Sequence, residues 1–442
     1  MTTSDRYIAA IEISSSKIIG AVGRISSYGE LNVIALEQEQ QKGEEAVRYG
    51  IIHNLEETSM RIARIIANLE RKPELGHRKI KGVFVGLSGR SVKSIPTNVS
   101  INLARDTEIT NEILNRLKGD ALRTAIDPSL EIVDAVPRTY RVGNTDTISP
   151  KGIVGNSISA TFDLIVCRPE LKRNITRTIV EKLNLRIEGF IVTALAAAHL
   201  ILTPDEKRLG CMLVDMGAET TTVTIHKNGC MRYFATIPMG GRNITRDITS
   251  LNMLEEKAEE TKITSGNAIA PDTPSTLNIN GIKHSDISNL IVARAEEIVA
   301  NVVEQIEYAG LKENDLPGGI IVIGGGSRLN GMIDLLAAQS NLPVRRGQVP
   351  AYVVINDTHY TSADIIQVVS LLYAGATLSD RVCLEEPPSD ELPPMGRPNE
   401  PEEIPEEKPK GGDKKPSRFI SGLKKRLSNL WTAPTDDSDE LD

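Results

Sequence analysis

Two segments of this chain repeat one plan about 200 residues apart, and this repeat constrains the fold more than any other feature. The first segment is YIAAIEISSSKIIGAVG at residues 7–23, and the second is GCMLVDMGAETTTVTIHKNG at residues 210–229. In each segment an apolar strand ends at an acidic residue, a tight turn of small residues follows, and a second strand returns. Each hairpin therefore places a carboxylate beside a polar turn.

The residue types in both turns suit a ligand that carries phosphate. Turn N–H groups and hydroxyls can bind phosphate oxygens, and the neighbouring acid can hold Mg²⁺ or its water ligands. The candidate phosphate ligands are Ser14, Ser15, Ser16, Lys17, Gly217, Thr220 and Thr221, and the candidate magnesium ligands, through bound water, are Glu12 and Asp215. Taken alone, each segment is equally well an ordinary β-hairpin with a polar turn.

A third motif follows at residues 318–339, GGIIVIGGGSRLNGMIDLLAAQ. It predicts a strand, a turn of three glycines at Gly324–Gly326, and then a helix. Glycines let the backbone approach a ligand closely, and a helix N-terminus favours an anion or a polar group. A glycine turn is common by itself, but two acid-tipped hairpins followed by a distant glycine turn are much more specific.

Apolar, β-rich runs alternate with helical patterns along residues 1–383, which favours mixed sheets covered by helices. The predicted strands include Tyr7–Ile13, Ile18–Ile25, Gly82–Leu87, Gly210–Val214, Thr221–His226 and Gly319–Ile323. The predicted helices include Leu55–Glu70, Glu108–Ala125, Glu170–Leu183 and Ile287–Ala309.

Composition argues against several other classes of protein. The net charge of −8 is unfavourable for binding the phosphates of a nucleic acid, and only 15 aromatic residues are present to stack on bases. We therefore expect no nucleic-acid partner. Four cysteines without a C-x-x-C pair predict reduced thiols rather than disulfides or a zinc site. The longest apolar stretch, residues 190–202, is shorter than the ~20 residues that a membrane-spanning helix needs.

The last part of the chain changes composition twice. Residues 384–416 hold nine prolines and ten acids, which predicts a disordered linker, and residues 434–442 form an acidic tail. Between them, residues 417–433 predict an amphipathic helix that lies in the membrane interface, although a helix that docks on protein is the alternative. The predicted membrane residues are Phe419, Ile420, Leu423, Lys424, Lys425, Arg426, Leu427, Leu430 and Trp431.

The order of the three motifs resembles the actin-like superfamily, in which two related lobes close on ATP. Within it, the chain resembles the bacterial cell-division family FtsA from Ile8 to about Leu378. The segments that carry this resemblance are KGVFVGLSGRSVKSIPTNVSI, PMGGRNITRDI and AEETKITSG. The resemblance implies an α/β, two-lobed actin-like (ribonuclease H-like) fold with an FtsA-type inserted subdomain.

The resemblance also implies a division of the chain into subdomains. The first lobe core would comprise residues 1–81 and 167–195, and the inserted subdomain residues 82–166. The second lobe core would comprise residues 196–245 and 305–383, with a small subdomain at 246–304.

Further site residues are implied by matching the family's motifs. Glu259 and Lys262 would face ribose and adenine, while Gly240, Gly241 and the segment Gly324, Gly325, Gly326 and Ser327 would line the base and phosphates. Glu12 stands where the family usually has Asp, and Ala218 and Glu219 stand where glycines are usual. Glu12, Asp215 and Glu219 are therefore candidates for catalysis of at most slow ATP hydrolysis. Glu219 either opposes transition-state charge or orients the attacking water.

The implied function is an ATP- and Mg²⁺-binding protein that tethers the FtsZ ring to the cytoplasmic face of the plasma membrane at the division site. The implied partners are the FtsZ C-terminal peptide, other divisome proteins, anionic lipid, and further copies of the chain in a filament. The alternatives are an ATPase or small-molecule kinase of the same fold, and an actin relative in pilus assembly or cell shape. The linker and amphipathic helix favour the tether, because a soluble kinase has no use for them.

Overall fold

The computed structural model describes residues 6–26, 30–41, 46–270, 278–279, 281–357 and 359–386. Most of the predicted linker, the predicted amphipathic helix and the acidic tail lie outside these residues. No helix within the described ranges is long and apolar enough to cross a membrane.

The strands bear the following labels and bounds: β1 (Arg6–Ile13), β2 (Lys17–Ile25), β3 (Leu31–Gln40), β4 (Val47–Arg48), β5 (Ile51–Ile52), β6 (Lys79–Ile80), β7 (Gly82–Leu87), β8 (Lys93–Glu108), β9 (Glu131–Val142), β10 (Thr145–Thr147), β11 (Val154–Cys167), β12 (Arg186–Val192), β13 (Cys211–Met216), β14 (Thr221–Lys227), β15 (Cys230–Ile237), β16 (Asn278–Ile279), β17 (Ile282–Lys283), β18 (Ile320–Ile323), β19 (Val344–Arg346), β20 (Val353–Ile355) and β21 (Leu384–Glu385).

The α-helices are α1 (Leu55–Glu70), α2 (Asn111–Leu122), α3 (Pro169–Thr176), α4 (Thr193–Ile201), α5 (Pro204–Leu209), α6 (Gly241–Thr249), α7 (Glu255–Ser265), α8 (His284–Tyr308), α9 (Met332–Ser340) and α10 (Ser362–Leu378). Short 3₁₀ turns occur at Pro73–Leu75, Glu313–Asp315 and Gly325–Arg328, and a π-helical segment, Arg177–Lys182, continues α3. The predicted helix Leu55–Glu70 is confirmed to the residue, while the predicted helix Glu170–Leu183 is α3 followed by the π-helical segment.

The first lobe is built on a six-stranded sheet in the order β12-β7-β1-β2-β3-β20. Strands β1 and β2 are apolar and buried on both faces, because α1 covers one face and α10 the other. Helix α1 begins at its cap residue Asn54, whose side chain accepts from the Glu57 N–H. Its buried residues Ile62, Ile65 and Leu69 recur at helical spacing and face the sheet.

The second lobe repeats the first. Its five-stranded sheet has the order β15-β14-β13-β18-β19, which matches β3-β2-β1-β7-β12 strand for strand. In both lobes the acid-tipped hairpin is antiparallel, and the two strands beyond it are parallel to its first strand. The similarity of the two hairpins in sequence therefore reflects two sheets of the same topology.

Two helices connect the lobes. Helix α4 follows β12 of the first lobe and packs both on β12 and on β14 of the second lobe. Helix α10 follows β20 and packs on β1, β2 and β7 of the first lobe, and α4 and α10 also pack on each other. This pair of helices joins the lobes at the cleft, the space between the Ser14–Lys17 turn and the Gly217–Thr220 turn.

The predicted division of the chain needs correction at three places. Strand β7 lies inside the first-lobe sheet between β12 and β1, so residues 82–87 do not belong to the inserted subdomain. Strand β20 pairs with β3, and α10 packs on the same sheet, so the end of segment 305–383 returns to the first lobe. Strand β21 pairs with β6 and buries Leu384, so the predicted linker cannot start at 384.

These errors share a physical cause. Composition and periodicity report whether a segment is apolar and regular, but strand pairing over long sequence distances decides which sheet it joins. The limits of the other predicted subdomains stay predictions.

The inserted subdomain is a four-stranded sheet, β10-β9-β11-β8, with α2 packed on it around a separate core. It also contacts the edge strand β15 of the second lobe. The buried carboxylate of Asp163 pairs with Arg138, whose guanidinium donates to the Arg232 carbonyl at 3.0 Å. The insertion, which the chain connects to the first lobe at both ends, therefore also binds the second lobe.

Candidate functional site

The first polar turn connects β1 to β2 at the cleft. The Ser14 N–H and hydroxyl both donate to the Lys17 carbonyl, at 3.0 and 2.8 Å, which closes the turn. The Ser15 hydroxyl accepts from the Gly50 N–H at 3.3 Å. The Lys17 ammonium donates to the Asp364 carbonyl in the first turn of α10 at 2.8 Å, so Lys17 lies between the turn and the helix that joins the lobes.

The second polar turn has the same closure. The Gly217 N–H donates to the Thr220 carbonyl at 2.8 Å, and a Cβ at Gly217 would lie 2.8 Å from that oxygen, so the close turn requires glycine. Thr221 departs from its predicted role. Its side chain is fully buried and its hydroxyl donates to the Met239 carbonyl at 2.9 Å, which directs it into the fold rather than the cleft.

The two predicted magnesium ligands are both buried, and the charge of Asp215 acts on Glu12. Burial raises the pKa of Glu12 to about 7, the Lys17 ammonium lowers it, and the charge of Asp215 raises it further. Burial likewise raises the pKa of Asp215 to about 6, although Gln367 of α10 donates to its Oδ1 at 3.1 Å. Glu12 Oε2 is buried and accepts no hydrogen bond from any described residue. Burying a carboxylate oxygen that accepts no hydrogen bond costs free energy and is unusual, and a bound cation would offset that cost.

Glu219 is buried in the second turn and reaches the first lobe. Its Oε2 accepts from the Tyr49 N–H at 2.6 Å, and its Oε1 accepts from Arg246 at 3.0 Å. The guanidinium of Arg242 lies 3.6 Å from Oε1, an ion-pair distance. Both carboxylate oxygens are therefore engaged by protein donors.

A small hairpin of the first lobe meets both polar turns. Strands β4 and β5 are joined by Tyr49 and Gly50, whose φ values of 49° and 80° make a tight turn. The Tyr49 N–H points to Glu219 of the second turn, and the Gly50 N–H points to Ser15 of the first. The β4–β5 hairpin therefore donates hydrogen bonds to both polar turns.

The glycine motif lies directly against the second turn. Gly324 has a φ of 86°, and a Cβ there would lie 2.5 Å from Asp215 Oδ1, so the motif packs on the predicted magnesium ligand. A Cβ at Gly325 would meet nothing within 4 Å, whereas Ser327 is buried and donates to the Gly324 carbonyl at 2.8 Å. The predicted helix does not begin at the glycines. A 3₁₀ turn, Gly325–Arg328, comes first, and α9 begins only after Gly331, which takes a left-handed conformation.

Glu259 and Lys262 form the predicted pair on one face of α7. The Lys262 ammonium lies 2.6 Å from Glu259 Oε2 and also donates to the Gly241 carbonyl at 3.1 Å and to the Thr245 hydroxyl at 2.9 Å. Its side chain is only 12% exposed, and burial lowers its pKa. Lys262 is therefore a fixed, largely desolvated cation, whereas its partner Glu259 remains partly exposed.

Sequence reasoning missed the residues that complete the site. Tyr49, Arg242, Arg246, Asp364 and Gln367 contact predicted site residues from other elements. Arg242 and Arg246 carry a partial signal, since they are basic residues one helical turn apart within the matched segment PMGGRNITRDI. Gln367 lies among buried apolar residues of α10, and only the fold shows its partner.

Comparison with known proteins identifies the family. A family model described as "Cell division protein FtsA" matches residues 212–364, and one described as "SHS2 domain inserted in FTSA" matches residues 89–166. The cell division protein FtsA of Porphyromonas gingivalis is 32% identical over 340 residues, which are 75% of this chain and 70% of that relative. The chain belongs to the FtsA family. The FtsA of Bacillus subtilis is 29% identical over 384 residues, which are 83% of this chain and 84% of that relative.

A solved structure supports the fold of this FtsA-family member. The "PilM-PilN type IV pilus biogenesis complex" has a TM-score of 0.59 and 15% identity, and the match covers 84% of this chain and 98% of that one. Together with the FtsA matches it confirms the predicted two-lobed, actin-like α/β fold with an inserted subdomain. Membership in the FtsA family supports a role in cell division. The start of the SHS2 match at residue 89 agrees with the placement of β7 in the first lobe.

Proposed function

We propose that this FtsA-family protein binds ATP with Mg²⁺ in the cleft between its lobes. The observation that carries the proposal is the convergence of Glu12, Asp215 and both polar turns at one place. Residues about 200 positions apart in sequence meet there, with a buried carboxylate oxygen of Glu12 that lacks a donor among the described residues. Gly325 has open space in front of its Cα, where a nucleotide needs room.

The donor set fits Mg²⁺ held largely through water and phosphate. In the described part of the chain, no group of three or more His, Cys, Asp or Glu side chains is placed to hold a metal. Mg²⁺ usually keeps several waters and binds through one or two carboxylates plus the phosphates of its ligand. Glu12 and Asp215 match this need, and a bound Mg²⁺ would neutralise charge on the phosphates.

We propose that hydrolysis in this cleft is slow or absent. Glu12 carries its carboxylate one methylene farther than the aspartate usual in the family, and shifts of about 1 Å can cost ~100-fold in rate. Glu219 has both oxygens bound by Tyr49 and Arg246, which supports a structural role over the orientation of an attacking water. ATP would then act mainly as a ligand that sets lobe closure and filament formation.

At the level of the cell, the proposed role is to tether FtsZ to the cytoplasmic face of the plasma membrane at the division site. The small subdomain at 246–304 would bind the FtsZ C-terminal peptide, and its exposed Leu254 and Ile263, 79% and 67% accessible, are available for such a contact. The amphipathic segment 417–433 would bind anionic lipid, and filaments would multiply that weak attachment.

Co-sedimentation with vesicles tests this role. Purified protein should carry FtsZ to vesicles that contain anionic lipid, and the same protein without its last 30 residues should still bind FtsZ but leave it in solution. FtsZ lacking its C-terminal peptide is the matched control for the protein contact. Failure of the full chain to bind FtsZ, or vesicle recruitment that survives the truncation, would refute the tether.

A further inference from the structure

The start of helix α6 is fixed against the second polar turn by its backbone. The Gly241 N–H donates to the Gly217 carbonyl at 3.0 Å, and the Arg242 N–H donates to the Ala218 carbonyl at 2.7 Å. A Cβ at Gly240 would lie 2.6 Å from the Gly217 carbonyl oxygen, so only glycine permits this approach. The Cα of Arg242 is consequently held against the turn that Gly217 and Thr220 close.

From this position the side chain of Arg242 crosses the cleft. Its Nη2 donates to the Ser15 carbonyl in the first polar turn at 3.1 Å, and its Nη1 lies 3.6 Å from Glu219 in the second. The side chain is only 14% exposed. A guanidinium thus lies in the shielded space where the two turns meet, where hydrogen bonds to charged groups gain strength.

Arg246 differs from Arg242 although both contact Glu219. Arg246 lies one helical turn farther along α6, donates to Glu219 Oε1 at 3.0 Å, and is 34% exposed. Arg242 is less exposed than Arg246, and its side chain joins the turn of one lobe to the turn of the other.

We propose that Arg242 recognises the terminal phosphate of a nucleoside triphosphate in this cleft. The inference rests on the proposed nucleotide function and assigns it a residue that determines specificity. A nucleotide whose base lies near Glu259 and Lys262 on the second lobe extends its phosphates toward the two turns. The phosphate at the junction of the lobes is then the last one, and a planar guanidinium can donate two parallel hydrogen bonds to it.

The test compares binding of Mg-AMPPNP and Mg-ADP by titration calorimetry for the wild type, R242A, R242K and R246A. R242A should bind Mg-AMPPNP about 10–100-fold more weakly, the usual effect of losing a hydrogen bond to a charged group, while its affinity for Mg-ADP changes less than about threefold. R242K keeps the positive charge but loses the planar guanidinium with its paired donors. Its ratio of affinities for Mg-AMPPNP and Mg-ADP should therefore lie between those of the wild type and R242A. R246A, the matched control, should keep the wild-type ratio of the two affinities.

Each other outcome has a separate meaning. Equal losses for both nucleotides in R242A, or the same loss of preference in R246A, would make Arg242 only a structural partner of Glu219 and overturn the inference. Circular dichroism and the melting temperature show whether R242A folds. If it does not, the ratio of the affinities of R242K for Mg-AMPPNP and Mg-ADP tests the inference: a ratio equal to that of the wild type would overturn it. A wild-type protein that binds neither nucleotide would refute the proposed nucleotide function and the inference with it.

Discussion

Replacing Glu12 with glutamine should stabilise the nucleotide-free protein at alkaline pH and leave it nearly unchanged at acidic pH. Burial raises the pKa of Glu12 from 4.5 to about 7 in the folded protein. An acid whose folded pKa is raised favours the folded state while it is protonated, and this contribution is lost as the pH rises through the folded value. Above pH 7 the folded wild type must therefore hold a buried negative charge.

The magnitude follows from the size of the shift. A change from 4.5 to about 7 is roughly 2.5 pH units, and each unit corresponds to about 1.4 kcal/mol, so ionised Glu12 costs the folded state about 3 kcal/mol. At pH 5 most of this cost is absent, because the carboxyl of the unfolded chain has only begun to ionise and the folded carboxyl is still protonated. The difference in stability between E12Q and the wild type should thus grow by about 2–3 kcal/mol from pH 5 to pH 8, in favour of the variant.

Urea denaturation at pH 5 and pH 8 in the presence of EDTA measures this difference. E74Q is the matched control, since Glu74 is an exposed carboxylate of the same lobe and its neutralisation should leave the pH dependence intact. In a parallel series with Mg-ATP, the wild type should bind more tightly as the pH rises from 6 to 8. E12Q should lose the part of this dependence that lies near pH 7 and keep the part near pH 6 that comes from Asp215. An equal difference between E12Q and the wild type at both pH values, or a variant less stable at pH 8, would refute the reasoning.

Three further predictions test the cleft and the tail. Mg-ATP should raise the melting temperature of the wild type but not of Gly325→Val, because a branched side chain would fill the open space in front of Gly325. If millimolar Mg-ATP leaves the melting temperature of the wild type unchanged, the result counts against nucleotide binding. Trp431→Glu and Leu427→Glu should each release the protein from anionic vesicles, whereas Ser421→Glu, on the opposite face of the predicted helix, should reduce binding much less. Equal effects of all three in co-sedimentation would contradict the predicted interfacial helix. Phosphate release should stay far below about 1 s⁻¹ with FtsZ and lipid present, and sustained turnover near that rate that disappears in Glu219→Ala would show Glu219 to be catalytic.

Local rules of sequence were sufficient for much of the fold. Alternating and continuous apolar runs placed the strands that end near Glu12 and Asp215, and helical periodicity placed α1 to the residue. These features depend on neighbours within a few positions, where backbone geometry fixes which side chains share a face. The same rules placed the acids at strand ends and small residues in the turns beside them, so the candidate site was predicted on both lobes.

Tertiary structure alone decided how the two halves of the site meet. Glu219 binds Tyr49, 170 positions away in sequence, Arg242 reaches Ser15 across 227, and Gln367 holds Asp215 across 152. The return of β20 and α10 to the first lobe is of the same kind, because strand pairing and helix packing over such distances depend on the assembled sheets. The sequence by itself determined that an acid and a turn of small polar residues follow two strands of similar pattern. Helix α10 contacts both halves, through Lys17 of the first turn and Asp215 before the second, and burial where they meet raises the pKa values of Glu12 and Asp215.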